Sequence, residues 1–350
     1  MIKQSGFFQQ SKPVERLMPP ILPQRYAIKG DSDTTFYQFH PTLGFWGIPN
    51  MERMVCFPQR KDTYLRISHN EHGNRDKPFP RGNIGKPIVC IGGSHTWGGA
   101  VEQELRYPDL IEHRTKKTTV NLGHCSLGLD QACLALMQMS RLYSPSIIII
   151  EQYPWAIHRV LNNYVNGYLR PHFYFDKENS ITLNKIPNLA HFKLARKAIG
   201  SFYQYRKELF EHMAGINLKD GYSPNTDPIF LAWKTQYYNP MYDLVDKILG
   251  ILKAFCSQNR IKLMFALGAT AQLFGPASTS ALIDYELPQK KLSQLLERHE
   301  IHHTNMAPAM LAEHTQQDPV IFGDGHINIK GHAIFGTILS NELEKLGWLN

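Results

Sequence analysis

The chain has 350 residues, of which 43% are apolar, 19% charged and 11% aromatic, and its formal net charge is +8. That length supports one large domain or two ordinary ones with a full hydrophobic core, and 25 Gly with 22 Pro is near average usage, which excludes collagen-like, disordered and low-complexity classes. The positive excess allows an acidic partner without requiring one, and with no basic helix, arginine-rich run or zinc-type spacing no nucleic-acid partner is expected.

Residues 1–84 are rich in Pro, Gly and basic side chains, as in LMPPILPQ and RDKPFPRGNIGKP. They read as an irregular, strand-poor N-terminal extension that packs on the rest through Phe45, Trp46 and Tyr64. The start, MIKQSGFFQQSKPVERLMPP, has neither an apolar core nor a small-residue cleavage site, so no secretory signal is expected. No run approaches the roughly 18 to 20 apolar residues of a membrane span. The scattered cysteines Cys56, Cys90, Cys125, Cys133 and Cys256 contain no C-x-x-C, which fits reduced thiols and a cytoplasmic location.

From Lys86 the pattern changes, and residues 85–350 read as one α/β domain. Ile88 to Ile91 is a short apolar run ending in Gly-Gly, the mark of a buried parallel strand. A helix is expected near 100–115, a second strand at 119–122, and a helix carrying Leu129, Ala132, Cys133, Leu136 and Met137 on one face. Ser146 to Ile150 is a third strand and Ile261 to Leu267 a fourth. Between them, residues 156–235 are rich in Tyr, Phe and His and read as an aromatic insertion over the active edge, packed together or stacking on sugar rings. Met241, Leu244, Val245, Ile248, Leu249, Leu252, Phe255 and Cys256 form a helical stripe before the fourth strand. A last strand is expected near Ile301, and the closing helix turns Phe335, Ile338, Leu339, Leu343 and Leu346 one way. Strand–helix alternation of this kind predicts a three-layer α/β/α fold around a parallel sheet, with ligands at the carboxyl ends of its strands.

At the first strand end stands Ile91-Gly-Gly-Ser-His-Thr-Trp-Gly-Gly99. The glycines do not match G-x-G-x-x-G, Gly99 stands where a P-loop needs Lys, and Thr96 stands where G-x-S-x-G needs Gly. What remains is Ser94 on a glycine turn that opens a helix, where free N–H groups could hold an oxyanion. A serine needs a base. Asp324-Gly-His326, in a glycine-rich loop before the final helix, supplies a candidate: Asp324 would fix the imidazole tautomer while the other ring nitrogen faces Ser94. His69 and His72 have H-x-x-H spacing but no third ligand nearby, which favours a hydrogen-bonded loop over a metal site.

IGGSHTWG, VNLGHCSLGLDQ and DGHINIKGH together resemble the nucleophile, second and last blocks of the SGNH (GDSL-type) hydrolase superfamily. HPTLGFWGIPN and ISHNEHGNRD resemble segments of a subgroup linked to bacterial surface polysaccharides. Gly93 stands where the family has Asp, Ser126 where it has Gly, and SIIIIEQYPWAIHR lacks the Asn of its third block, with Trp155 or a neighbour at that place. The resemblance implies a catalytic Ser94, Asp324 and His326, an oxyanion hole from Ser94 and Ser126 with Gln152 as the nearest amide, and no metal or organic cofactor. His95, Trp97, Tyr153 and Trp155 are candidate substrate contacts. The implied activity is hydrolysis of an acyl ester, often an O-acetyl group on a carbohydrate or small molecule. An O-acyltransferase on the same site, or a degenerate carbohydrate-binding protein, remains open, as does the oligomeric state.

Overall fold

Ile88–Ile91 is buried at all four positions and Ile147–Gln152 at all six, so neither strand has a face that water reaches. Such strands must lie between two layers of helices. The computed structural model describes residues 27–28, 36–40, 42–60, 63–79, 85–161, 164–165, 168–175, 178, 180–184, 240–269, 271–274 and 286–350.

Among the described residues five strands precede the central sheet: β1 (Ala27–Ile28), β2 (Tyr37–His40), β3 (Gly44–Gly47), β4 (Glu52–Cys56) and β5 (Tyr64–Ser68). β4 pairs antiparallel with β1 and β5, and β2 pairs antiparallel with β3. This corrects the strand-poor reading of residues 1–84. The strands are only two to five residues long, and β4 buries little of its surface, so no long alternating apolar pattern announces them.

The central sheet is built from β6 (Ile88–Ile91), β7 (Thr119–Asn121), β8 (Ile147–Gln152), β13 (Lys262–Leu267) and β14 (His302–Asn305), in the order β14-β13-β8-β6-β7. Every pairing is parallel. The short strands β9 (Tyr164–Val165), β10 (Tyr168–Leu169), β11 (His172–Phe175) and β12 (Ile181–Asn184) form two hairpins between β8 and β13. Residues 185–239, most of the predicted aromatic insertion, lie outside the described residues.

Among the described residues the α-helices are α1 (Ser94–Trp97), α2 (Tyr107–Thr115), α3 (Leu129–Tyr143), α4 (Pro240–Gln258), α5 (Leu287–Arg298), α6 (Ala307–Glu313) and α7 (Ile329–Lys345). The period-two rule divides the strand side chains between them. Val89, Ile91, Ile148, Ile150, Leu263 and Phe265 pack with α3, α4 and α5. Ile88, Cys90, Ile147, Ile149, Met264 and Ala266 pack with α2, α6 and α7. The helix expected over 100–115 begins at Tyr107, with Pro108 in its first turn, after a 3-10 turn at Gln103–Leu105. Among the described residues no helix is long and apolar enough to cross a membrane.

Strand order places β6 and β8 side by side at the centre, with their connections leaving to opposite sides. A crevice opens at the carboxyl ends of such strands. Ser94 follows β6, and Glu151 and Gln152 end β8, so the crevice is where they meet.

Candidate active site

Ser94 opens α1, with Gly93 as an extended N-cap. The turn is held from below by β8. Glu151, 3% exposed, accepts the Gly93 N–H at 3.0 Å and the Thr96 hydroxyl at 3.1 Å through one oxygen, Oε2. Thr96 Oγ1 also lies 2.8 Å from the Tyr107 hydroxyl. A Cβ at position 92 would fall on Thr96 Oγ1 and Glu151 Oε2, so glycine there lets the carboxyl reach the turn. Burial pushes the Glu151 carboxyl up to about 7, against the hydrogen bonds from Gly93 and Thr96 and the charge of Arg159.

The other partner arrives on the segment before α7. Gly325 takes φ 89°, the left-handed region, and Phe322 N–H donates to the His326 carbonyl at 2.7 Å, folding residues 322–326 into a tight loop. His326 Nε2 then lies 2.8 Å from Ser94 Oγ, and its Nδ1 lies 2.9 Å from Asp324 Oδ2. Asp324 also accepts the His326 backbone N–H at 3.2 Å and the side-chain amide of Gln59. Partial burial opposes the Asp324 charge, but the hydrogen bonds and charge of His326 outweigh it and hold the carboxyl at about 2. The rest of the terminal motif anchors the loop. Asn328 caps α7 by accepting Gly331 N–H at 3.0 Å, and buried His332 accepts the Tyr107 N–H at 3.2 Å through Nδ1.

A small cavity beside Ser94 is lined by Gly93, Leu127, Gly128, Glu151, Tyr153, Arg159 and their neighbours, with about 20 Å³ of free space. That volume admits one water-sized group. Arg159 closes one side, its guanidinium donating to the Leu127 carbonyl at 2.9 Å, and burial pushes it down to about 10. Among the described residues no group of three or more His, Cys, Asp or Glu could hold a metal ion, and His69 Nδ1 lies 3.1 Å from the Ile48 carbonyl.

The predicted site residues divide as follows. Ser94, His326 and Asp324 are brought together in one relay. Ser126 is buried with φ 68°, the backbone conformation that favours the glycine it replaces in the resembling motif. Gln152 lines the cavity, but its amide Nε2 donates to the Tyr153 carbonyl at 2.8 Å. His95 lies on the cavity wall, stacked on Tyr153 with ring centroids 3.9 Å apart and on His326 at 5.1 Å. Its Nδ1 accepts the Ile327 N–H at 3.3 Å, and burial holds the ring neutral, far below the usual histidine range. The Trp155 side chain lies outside the described residues.

Trp97 requires a correction. Its ring is 1% exposed and sits away from the cavity, against Phe36 at 5.4 Å and Phe57 at 6.3 Å, with the Arg75 guanidinium 4.7 Å from its centroid. It is the bolt between α1 and the N-terminal strands, and not a substrate contact. The sequence reading also missed Glu151, Arg159, Arg75 and Gln59. Glu151 had a signal, because an acid directly after four isoleucines in a strand buried at every position is rarely there without a task. Arg75, Arg159 and Gln59 lie far from Ser94 in sequence, and only the fold brings them in.

No protein-family model matches the chain, and no curated protein matches it. Several solved structures are similar in fold. A lipolytic protein of the G-D-S-L family from Desulfitobacterium hafniense has 10% identity and a TM-score of 0.38, with 73% of this chain and 99% of that one covered. A lipase/acylhydrolase from Enterococcus faecalis has 10% identity and a TM-score of 0.42, with coverages of 75% and 96%. A two-domain esterase active on acetylated mannans has 14% identity and a TM-score of 0.40, with 74% of this chain and 49% of that one covered, so the likeness spans about half its length. At these identities and TM-scores the likenesses carry no argument about function, which rests on the site.

Proposed function

We propose that this protein is a serine hydrolase of the SGNH type that cleaves a small acyl ester, with an O-acetyl group on a carbohydrate or small molecule as the preferred substrate. The observation that carries the reading is the continuous relay from Ser94 Oγ through both ring nitrogens of His326 to Asp324. With Nδ1–H donating to the ionised Asp324, Nε2 is left as the base. Ser94 Oγ attacks the ester carbonyl as its proton passes to His326. The backbone N–H groups of Ser94 and Ser126 receive the developing oxyanion; Ser94 is the first residue of α1, where an N–H has no intrahelical partner. His326 then protonates the departing alcohol oxygen, leaving an acyl group on Ser94. Water, deprotonated by His326, releases the acid and restores the serine.

The cavity bears on the acyl size. About 20 Å³ of free space beside Ser94, lined in part by Leu127, Leu129, Ala132, Ile150 and Ala156, supports a short acyl group. A series of p-nitrophenyl esters tests this, run on the wild type and on Ser94→Ala. The expected result is turnover of acetate, a steep fall by butyrate, and none in the variant. Turnover that survives in Ser94→Ala contradicts the reading. Transfer of the acyl group to an added sugar in preference to water would assign the same chemistry to an O-acyltransferase.

A further inference from the structure

The nucleophile turn has a glycine before its serine and a buried acid behind it. Gly93, the residue before the nucleophile, contributes no side chain to brace the turn. The brace comes across the sheet from Glu151, whose Oε2 takes both the Gly93 N–H at 3.0 Å and the Thr96 hydroxyl at 3.1 Å. Those two residues flank Ser94 on either side. Since Thr96 donates to Glu151, the hydrogen bond at 2.8 Å between Thr96 and Tyr107 must run from the tyrosine hydroxyl to Thr96 Oγ1. Oε2 therefore accepts two bonds, while the other oxygen, Oε1, is buried with no hydrogen-bond partner among the described residues.

We propose that Glu151 is the positioning residue of the nucleophile turn and that it works as a neutral acid, with its proton on Oε1. The proposal rests on the serine-hydrolase reading above and adds a residue to it. Two lone pairs on Oε2 are already used, so Oε1 is the oxygen left to carry a proton. A neutral carboxyl still accepts both bonds and so still fixes Gly93 and Thr96. An ionised one would place a buried negative charge behind Ser94, where the reaction itself develops negative charge, and would oppose it.

The surroundings decide which form prevails. Arg159, from the 3-10 segment after β8, and His326, from the loop before α7, favour the charged form. Tyr107 from α2 and Tyr153 beyond the strand end are uncharged, and a Glu151 charge would push both of their hydroxyls up. Burial is the largest influence and favours the neutral form, bringing the group to about 7.

The experiment compares wild type, Glu151→Gln and Glu151→Ala across pH 5 to 9, in acetyl-ester hydrolysis and in thermal unfolding. Gln keeps an oxygen acceptor for Gly93 and Thr96 and cannot ionise. Wild type is expected to lose kcat on the alkaline side as Glu151 ionises; Glu151→Gln stays within about threefold at pH 6 and lacks that limb, while Glu151→Ala falls about 10- to 100-fold in kcat with KM little changed. The stability sign is independent of activity. With a folded value of about 7 above the ordinary 4.5, the contribution is full below pH 4.5 and is lost as pH rises through 7. The melting temperature of Glu151→Gln should therefore gain on wild type between pH 5 and 8. An alkaline limb that persists in Glu151→Gln, an equal loss in Gln and Ala, or a constant melting gap overturns the proposal. A wild type without ester hydrolysis that still shows the widening gap removes the hydrolase reading and leaves the neutral Glu151 standing.

Discussion

The two halves of the site are built in opposite ways. The nucleophile turn at residues 92–99 is gripped from every side. Glu151 holds Gly93 and Thr96, the Asn121 amide donates to the Thr96 carbonyl at 2.8 Å, and buried Arg75 donates to the carbonyls of Trp97, Gly98 and Val101. Arg106 adds a bond to the Arg75 carbonyl and an ion pair with Asp109 at 2.8 Å. The acid–base loop at residues 322–328 is held by its own turn, by His95 against Ile327 and by Gln59 against Asp324, and Gly323 and Asp324 reach solvent. Their carboxyls show the same contrast: burial raises Glu151 to about 7, whereas His326 draws Asp324 down to about 2 despite partial burial. The serine is over-determined by the fold and its base is delivered by a light loop, so stability and catalysis should separate cleanly between them.

That separation can be broken at either end. The largest expected effect is in Ser94→Ala, which should lose activity by on the order of 10⁶-fold while its melting temperature stays near wild type. Asp324→Asn comes next, with a fall in kcat on the order of 10⁴-fold from the wrong histidine tautomer and a modest loss of stability at neutral pH, since the folded carboxyl sits at about 2, below its ordinary 3.8. On the other side, Arg75→Met removes the guanidinium bonds to three carbonyls, of which Trp97 keeps one from Arg106 at 3.4 Å, and should cost about 3 to 5 kcal/mol in denaturant unfolding. If Arg75→Met unfolds like wild type, the grip on α1 is not structural.

The glycines sharpen the comparison. A Cβ at Gly123 would strike backbone atoms of Thr96 and Trp97, so Gly123→Ala should cost about 1 to 3 kcal/mol. A Cβ at Gly323 meets nothing, so Gly323→Ala should stay within about 0.5 kcal/mol of wild type. Equal effects of the two alanines on the unfolding midpoint would erase the contrast. Gln59→Ala, at the light end, should reduce kcat only a few-fold, because Asp324 keeps both of its bonds to His326.

How far these features can be read in advance follows the same division. Ser94 and the Asp324–His326 pair are legible because their chemistry is local: a serine on a glycine turn, and an acid two residues from a histidine. The central strands are legible because a strand buried on both faces shows as an unbroken apolar run such as Ile147 to Ile150. Trp97 misled because a four-residue helix has too little periodicity to say which face the N-terminal strands will cover. Those strands escaped notice because they are two to five residues long, and β4, Glu-Arg-Met-Val-Cys, shows no charged–apolar alternation at all. Glu151 and Arg75 act at sequence distances of 58 and 23 residues from the atoms they hold, and no local pattern encodes such contacts.

The central claim is that Ser94 is an activated nucleophile, and intact-mass analysis after treatment with a fluorophosphonate tests it most directly. Wild type should gain a single adduct and Ser94→Ala none. Folded wild type that takes no adduct, or a variant that still takes one, would contradict the account.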